Sequence, residues 1–354
     1  MSRTPLNAFC ALTMGQSPDS ESYNIEHNGF PFYQGNADFG RIHPMVRVWC
    51  SAPKKLAKAG DILISVRAPI GALNIADCDC CIGRGLAAIT PDATCADTMF
   101  LFYALYASAA ELQRRGTGST FKAISKNALS NLLLPSYCLE EQKEISAVLQ
   151  QVDHLISLRQ QQAEKLDELV KARFVEMFGD PVLNTRRLPS VSGTSLFKLS
   201  NGKAVPAEKR FDSGIPAYGG NGISWYTDEA LINTDTLVVG RVGFQSGNVH
   251  FVYGPLWITD NAMYVTWYRK ELICLRFLNQ LMKRVDFSRY QDAGDLKKIT
   301  QKPFMKFEYI LPSMNLQMEF VNFMDSVNCE KERIQRSAAL LKTLKRSLMQ
   351  QYFG

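Results

Sequence analysis

The chain has 354 residues, 46% hydrophobic and 21% charged, a composition that excludes a disordered or collagen-like protein and has room for two domains with cores of their own. Its longest apolar run, Met99 to Ala110, is shorter than the roughly 18 residues a membrane-spanning helix needs, so a buried helix is expected there. The net charge is +6, with 17 basic against 12 acidic side chains in residues 179–313; this suits a polyanionic partner but is too common among soluble proteins to establish one.

The N-terminal Met-Ser-Arg-Thr-Pro has none of the apolar stretch of a signal peptide. Nine irregularly spaced cysteines argue against a disulfide framework and for reduced thiols, so a cytoplasmic protein without a membrane partner is expected. Cys78-Asp-Cys-Cys81 holds one C-x-x-C pair, but no second pair follows at zinc-finger spacing, and no metal is expected.

In chain order, short β-rich runs come first, at Asp61–Arg67 and Leu86–Thr90, each bounded by Gly, Pro or Asn. A helical stretch near 99–115 follows, then the loop Gly116-Thr-Gly-Ser-Thr120 and Lys122. After Leu134-Pro135, residues 139–179 have no internal Gly or Pro until Gly179 and carry a heptad track of Leu149, Ile156, Ala163, Val170 and Met177, flanked by Val152 and Leu166. The pattern then begins again. Strands are expected at Thr236–Val239, His250–Tyr253 and Ala262–Trp267, a helix near 271–285, and Leu311-Pro312 leads into residues 314–354. There Phe320, Val327, Ile334, Leu341 and Leu348 form the track, flanked by Met324, Ala338 and Leu344.

The two halves repeat at an offset near 175. Gln142 matches Gln317, Glu144 matches Glu319, Val152 matches Val327, and Phe178-Gly179 match Phe353-Gly354. Upstream, Asp61-Ile-Leu-Ile-Ser-Val-Arg67 parallels Asp235-Thr-Leu-Val-Val-Gly-Arg241, and Phe121-Lys-Ala-Ile-Ser125 parallels Leu296-Lys-Lys-Ile-Thr300. The expected fold class is α+β: two tandem α/β domains, 1–138 and 180–313, each followed by a long helix, 139–179 and 314–354. A period of seven favours a coiled-coil seam, and two halves related by a pseudo-twofold axis would pack these helices antiparallel, as a rod with a domain at each end.

Several stretches resemble the specificity subunits of Type I restriction–modification systems. Leu134-Pro135 with Leu139-Glu-Glu-Gln-Lys-Glu-Ile145, Lys165-Leu-Asp-Glu-Leu-Val-Lys171 and Phe174-Val-Glu-Met-Phe-Gly-Asp-Pro181 is similar to their central conserved region, and Ser347-Leu-Met-Gln-Gln-Tyr-Phe-Gly354 to the distal one. Gly15–Asn24, Pro31–Gly35, Gly60–Gly71 and Cys81–Ala87 resemble one of the family's target-recognition domains; Tyr218–Gly222, Gly240–Gly243 and Trp257–Ala262 resemble another. The resemblance covers nearly the whole chain. It implies a subunit that recognises a bipartite double-stranded DNA target and directs two methyltransferase subunits and a restriction subunit to it, with no catalysis and no cofactor of its own. The specificity subunit of a Type IIB system is an alternative built on the same plan, and a coiled-coil scaffold with carbohydrate- or protein-binding domains is another.

The missing motifs agree with a non-catalytic role. No phosphate-binding G-x-x-x-x-G-K-[ST] loop is present, Gly202-Lys203 being followed by Ala204. Asp180-Pro181 is followed by Val182, not by the second proline and aromatic of an amino-methyltransferase, and no Pro-Asp precedes Asp295-Leu-Lys297 at nuclease spacing. His27, His43, His154 and His250 are scattered. For DNA contact, phosphates call for Lys, hydroxyls and open backbone, and base edges call for Arg, Asn and Gln. The candidates are Ser119, Thr120 and Lys122, with Lys297 and Lys298 as counterparts; Arg67 and Arg241, expected to end equivalent strands; Arg84; Asn261; and Tyr33 with Gln34 and Tyr218 with Asn221, expected in Gly-flanked loops that present polar tips.

Overall fold

The computed structural model describes residues 2–117, 122–294 and 297–354. The chain forms two compact units, Met1–Gln160 with Gln335–Gly354, and Gln161–Ile334. They cut across the four segments expected from sequence, because each long helix gives one half to each unit. Among the described residues no helix is long and apolar enough to cross a membrane.

In the first unit an antiparallel four-stranded sheet runs in the order Cys10–Met14, Leu86–Pro91, Ile62–Ser65, Leu73–Ile75. The second unit repeats it with Phe197–Asn201, Ala262–Tyr268, Thr236–Gly240 and Val249–Val252, again antiparallel. Each sheet is backed by helix: Thr98–Ala107 and Ala109–Arg115 in one unit, Leu275–Arg284 in the other. Ile62, Leu63 and Ile64 are all fully buried, as are Leu237, Val238 and Val239, because both faces of these central strands are covered. A smaller sheet lies beside each large one. It pairs Phe30–Tyr33 parallel with Cys80–Ile82 in the first unit, and Ile215–Gly219 parallel with Trp257–Ile258 in the second.

The long helices span Leu139–Phe178 and Met314–Phe353. The central one starts where the Glu141 carboxylate accepts the Cys138 N–H at 2.9 Å, and stops at Gly179, whose φ of +71° suits glycine. Both begin three residues before the matched glutamines. Three residues separate Pro135 from its helix and one separates Pro312 from the other, so the difference between the two linkers lies ahead of the helices.

Within each unit the two helix halves run antiparallel. In the first, Tyr137 donates to the Tyr352 carbonyl at 3.2 Å and Lys345 lies 2.7 Å from Asp153, so numbering falls on one helix as it rises on the other. In the second, Lys331 lies 2.6 Å from Asp167 and Arg173 is 2.9 Å from Glu319. Leu149, Val152 and Ile156 are buried along the expected track, as are Phe320, Val327 and Ile334. Farther along the central helix the burial moves to Phe174 and Phe178, which pack on Phe320 and Phe277, while Val170 and Met177 are only partly buried. Leu344, expected to flank the seam, is exposed.

Candidate nucleic-acid interface

In the first unit the polar candidates gather where the sheet strands end. Gly83 donates its N–H to the Tyr33 carbonyl at 2.8 Å, and Val66 donates to the Gly85 carbonyl at 2.9 Å. Glycine is needed at 85 because a Cβ there would meet the Gln34 carbonyl oxygen at 2.4 Å. That close approach sets Gln34 beside the Gly83-Arg84-Gly85 turn, with Gln34 and Arg84 both exposed. Ile124 donates to Val66 at 2.9 Å and Ala68 to Lys122 at 3.2 Å, which brings exposed Arg67 and exposed Lys122 to the same edge. Among the described residues the Arg67 guanidinium has no hydrogen-bond or carboxylate partner. Ser119 and Thr120 lie outside the described residues.

Tyr33 corrects the sequence expectation. It is the last residue of the strand Phe30–Tyr33, its ring is fully buried, and its neighbours include Leu63, Ile82 and Leu86. Gln34 alone of that pair faces solvent.

The second unit builds the same edge. Gly220 and Asn221 form a two-residue hairpin turn between Ile215–Gly219 and Gly222–Thr227, and Asn221 is exposed. A Cβ at Gly220 would lie 3.1 Å from the Gly240 Cα and 3.2 Å from the Asn261 carbonyl oxygen, so the turn sits against both strand ends. Arg241 donates its N–H to the Asn261 carbonyl at 2.9 Å, and its Nη1 donates to the Asp260 carbonyl at 3.3 Å. Ile299 donates to Arg241 at 2.9 Å, and Gly243 donates to the carbonyl of exposed Lys297 at 2.8 Å. Exposed Lys298 pairs with Val242 in an isolated bridge, and the Asn261 side chain is exposed. Tyr218 sits within a strand, half-buried against Val238 and Ile258, rather than in a loop.

These hydrogen bonds also correct the register between the halves. Val66 and Arg241 each donate to the residue before the neighbouring strand and accept from Ile124 and Ile299, so Arg241 corresponds to Val66. Arg67 corresponds to Val242, since Arg67 bridges Ala123 and Val242 bridges Lys298. The two arginines follow equivalent strands but stand one position apart in the structural register. Lys122 and Lys297 are equivalent, as their sequence context suggested.

Phe244 shares the edge and was missed in the sequence. Its ring is 85% exposed, with the Lys297 ammonium 5.4 Å above the centroid. The signal available was a phenylalanine between Gly243 and Gly247, both at positive φ, in a turn too short to hide it.

Residues 6–168 match the family profile described as Type I restriction modification DNA specificity domain. A Methanocaldococcus jannaschii protein, assigned as the MjaX specificity subunit of a type I restriction enzyme, is 43% identical over 163 residues, 46% of this chain and 38% of its own length. The chain thus spans well under half of that relative. The type I restriction enzyme EcoprrI specificity subunit of Escherichia coli is 24% identical over 348 residues, covering 91% of this chain and 86% of that one. Among solved structures, the S subunit of a type I restriction–modification system from M. genitalium matches with a TM-score of 0.65 at 16% identity, covering 100% of this chain and 96% of that one. At that identity what is shared is the fold.

Proposed function

We propose that the chain is a specificity subunit of a type I restriction–modification system and recognises a bipartite double-stranded DNA target, one part per unit, without catalysis of its own. The observation that carries this reading is the repeated edge. In each unit, glycines at strand ends bring a polar turn, a strand-end or adjoining arginine and a lysine onto one hydrogen-bonded rim, Gln34, Arg84, Arg67 and Lys122 in one, and Asn221, Arg241, Asn261 and Lys297 in the other. Lysines suit phosphate oxygens, and exposed Arg, Asn and Gln side chains suit base edges.

On the same reading its partners are two methyltransferase subunits and a restriction subunit, to which this chain supplies the address. The test is to assemble the chain with methyltransferase subunits from its own system and sequence the methylated sites. A two-part site with a fixed gap is expected. Variants at the rim of one unit should alter one part of that site and leave the other intact. Methylation without sequence preference in a folded complex would overturn the reading.

A further inference from the structure

We propose that Phe244 is an apolar base-contacting residue of the second unit, presented on a rigid turn to the bases of the half-site which that unit reads. The inference rests on the DNA-reading proposal and assigns a residue and a kind of contact that the proposal does not require.

Phe244 is the most exposed of the large hydrophobic side chains among the described residues. An isolated exposed phenylalanine is ordinary on a floppy loop, but the turn that carries this one is held at many points. Gly247 donates to the Gly240 carbonyl at 2.8 Å, Gly240 donates to Asn248 at 2.9 Å, and Ser246 donates to Gly243 at 3.0 Å. The Gln291 side chain donates to the Ser246 carbonyl at 2.6 Å, and a Cβ at Gly247 would come within 3.5 Å of Phe287. Gly243 and Gly247 have φ of +96° and +99°, conformations that L side chains avoid, so the backbone around Phe244 is shaped rather than loose. Such a turn loses little conformational entropy on binding.

Its surroundings indicate what it meets. Phe244 follows Arg241 by three residues and lies under Lys297, with Asn261 bonded to Arg241. An apolar ring rimmed by cations and amides suits a DNA groove, where the ring can lie on thymine methyl groups or on a partly unstacked base step while the charges meet phosphates. The first unit has no aromatic counterpart. At the corresponding place it carries exposed Pro69, followed by Ile70, which is buried.

The test compares the full chain with F244A, F244L and K297A, measuring affinity for the preferred site, affinity for unrelated duplex, and salt dependence. F244A is expected to weaken binding to the preferred site by about tenfold to a hundredfold, as loss of a buried phenylalanine would. It should leave binding to unrelated duplex and the salt slope unchanged, and F244L should recover part of the loss. K297A should instead lower both affinities and reduce the slope by about one. Wild-type affinity for the preferred site retained by F244A overturns the inference while the DNA-reading proposal stands. So does a variant that binds DNA normally but fails to assemble with its partner subunits, which would make the ring a protein contact. Equal affinity of the wild-type chain for all sequences overturns both.

Discussion

Gln142 and Gln317 make the same three hydrogen bonds, each inside its own unit. Gln142 Oε1 accepts from Asp97 N at 2.9 Å, and its Nε2 donates to the carbonyls of Cys95 and Tyr137, both at 3.0 Å. Gln317 Oε1 accepts from Cys274 N at 2.9 Å, and its Nε2 donates to Leu272 at 2.8 Å and Pro312 at 2.9 Å. Asp97 and Cys274 precede the helices that back the two large sheets. Each glutamine thus ties the start of a long helix to the start of a domain helix.

Both amides are fully buried, so removing one leaves backbone groups without partners or water. Gln142→Ala and Gln317→Ala should each destabilise the chain by about 2–4 kcal/mol, since a buried orphaned polar group costs about 1–3 kcal/mol and a small cavity adds to it. Urea unfolding of the two variants checks this. A midpoint shift near zero for either would show that the bonds are replaceable.

Lys297 and Lys298 are exposed beside the Arg241 strand end. Replacing both with alanine should weaken binding to every DNA sequence and reduce the salt slope by about one to two. Lys122→Ala should do the same by about one, because Lys122 is the structural counterpart of Lys297. A change confined to one base position would mean that these lysines read bases.

Arg67 and Arg241 should behave differently, because their side chains are placed differently. Arg67→Ala should relax preference at one base position of one half-site, by about 1–3 kcal/mol if the guanidinium pairs with a base edge. The half-buried Arg241 already donates to the Asp260 carbonyl, so Arg241→Ala should shift the melting midpoint as well as DNA affinity. Methylation mapping with each variant separates the two. Altered preference in both half-sites from Arg67→Ala alone would show that the units do not read independently.

His250 lies on the strand Val249–Val252, its buried Nε2 without a hydrogen-bond partner among the described residues, and burial together with nearby Lys283 lowers its pKa below the usual 6.5. The folded state therefore takes up a proton less readily than the unfolded chain. Stability contributed this way is present above about pH 6.5 and is lost as pH falls toward the lower folded value. The melting temperature should decline through this range, and His250→Phe should decline less. Parallel pH profiles for the two proteins would remove His250 as a source of acid sensitivity.

The chain purified alone should neither transfer labelled methyl groups to DNA nor cleave it. Incorporation of label by a preparation free of partner subunits would require a site that none of the motifs reveals.

The halves and their long helices were legible in the sequence because local rules carry them. The heptads and the absence of Gly and Pro within 40 residues are properties of neighbouring positions, and with the internal repeat they predicted long helices over 139–179 and 314–354, where the structure has Leu139–Phe178 and Met314–Phe353. The same offset correctly paired Lys122 with Lys297. What the sequence left undecided was settled by contacts between distant strands. A shift of one residue turns a strand's side chains to the opposite face, and only the bonds Val66–Gly85 and Arg241–Asn261 reveal that Arg241 matches Val66 rather than Arg67. Tyr33 and Phe244 make the same point from opposite sides. Both are aromatic residues close to glycines, yet one is closed over by strands from elsewhere in its unit and the other is held out in water by a hydrogen-bonded turn. Sequence periodicity reports which elements form, whereas the exposure of a single ring depends on what chain folds back over it, and that is a property of the tertiary structure alone.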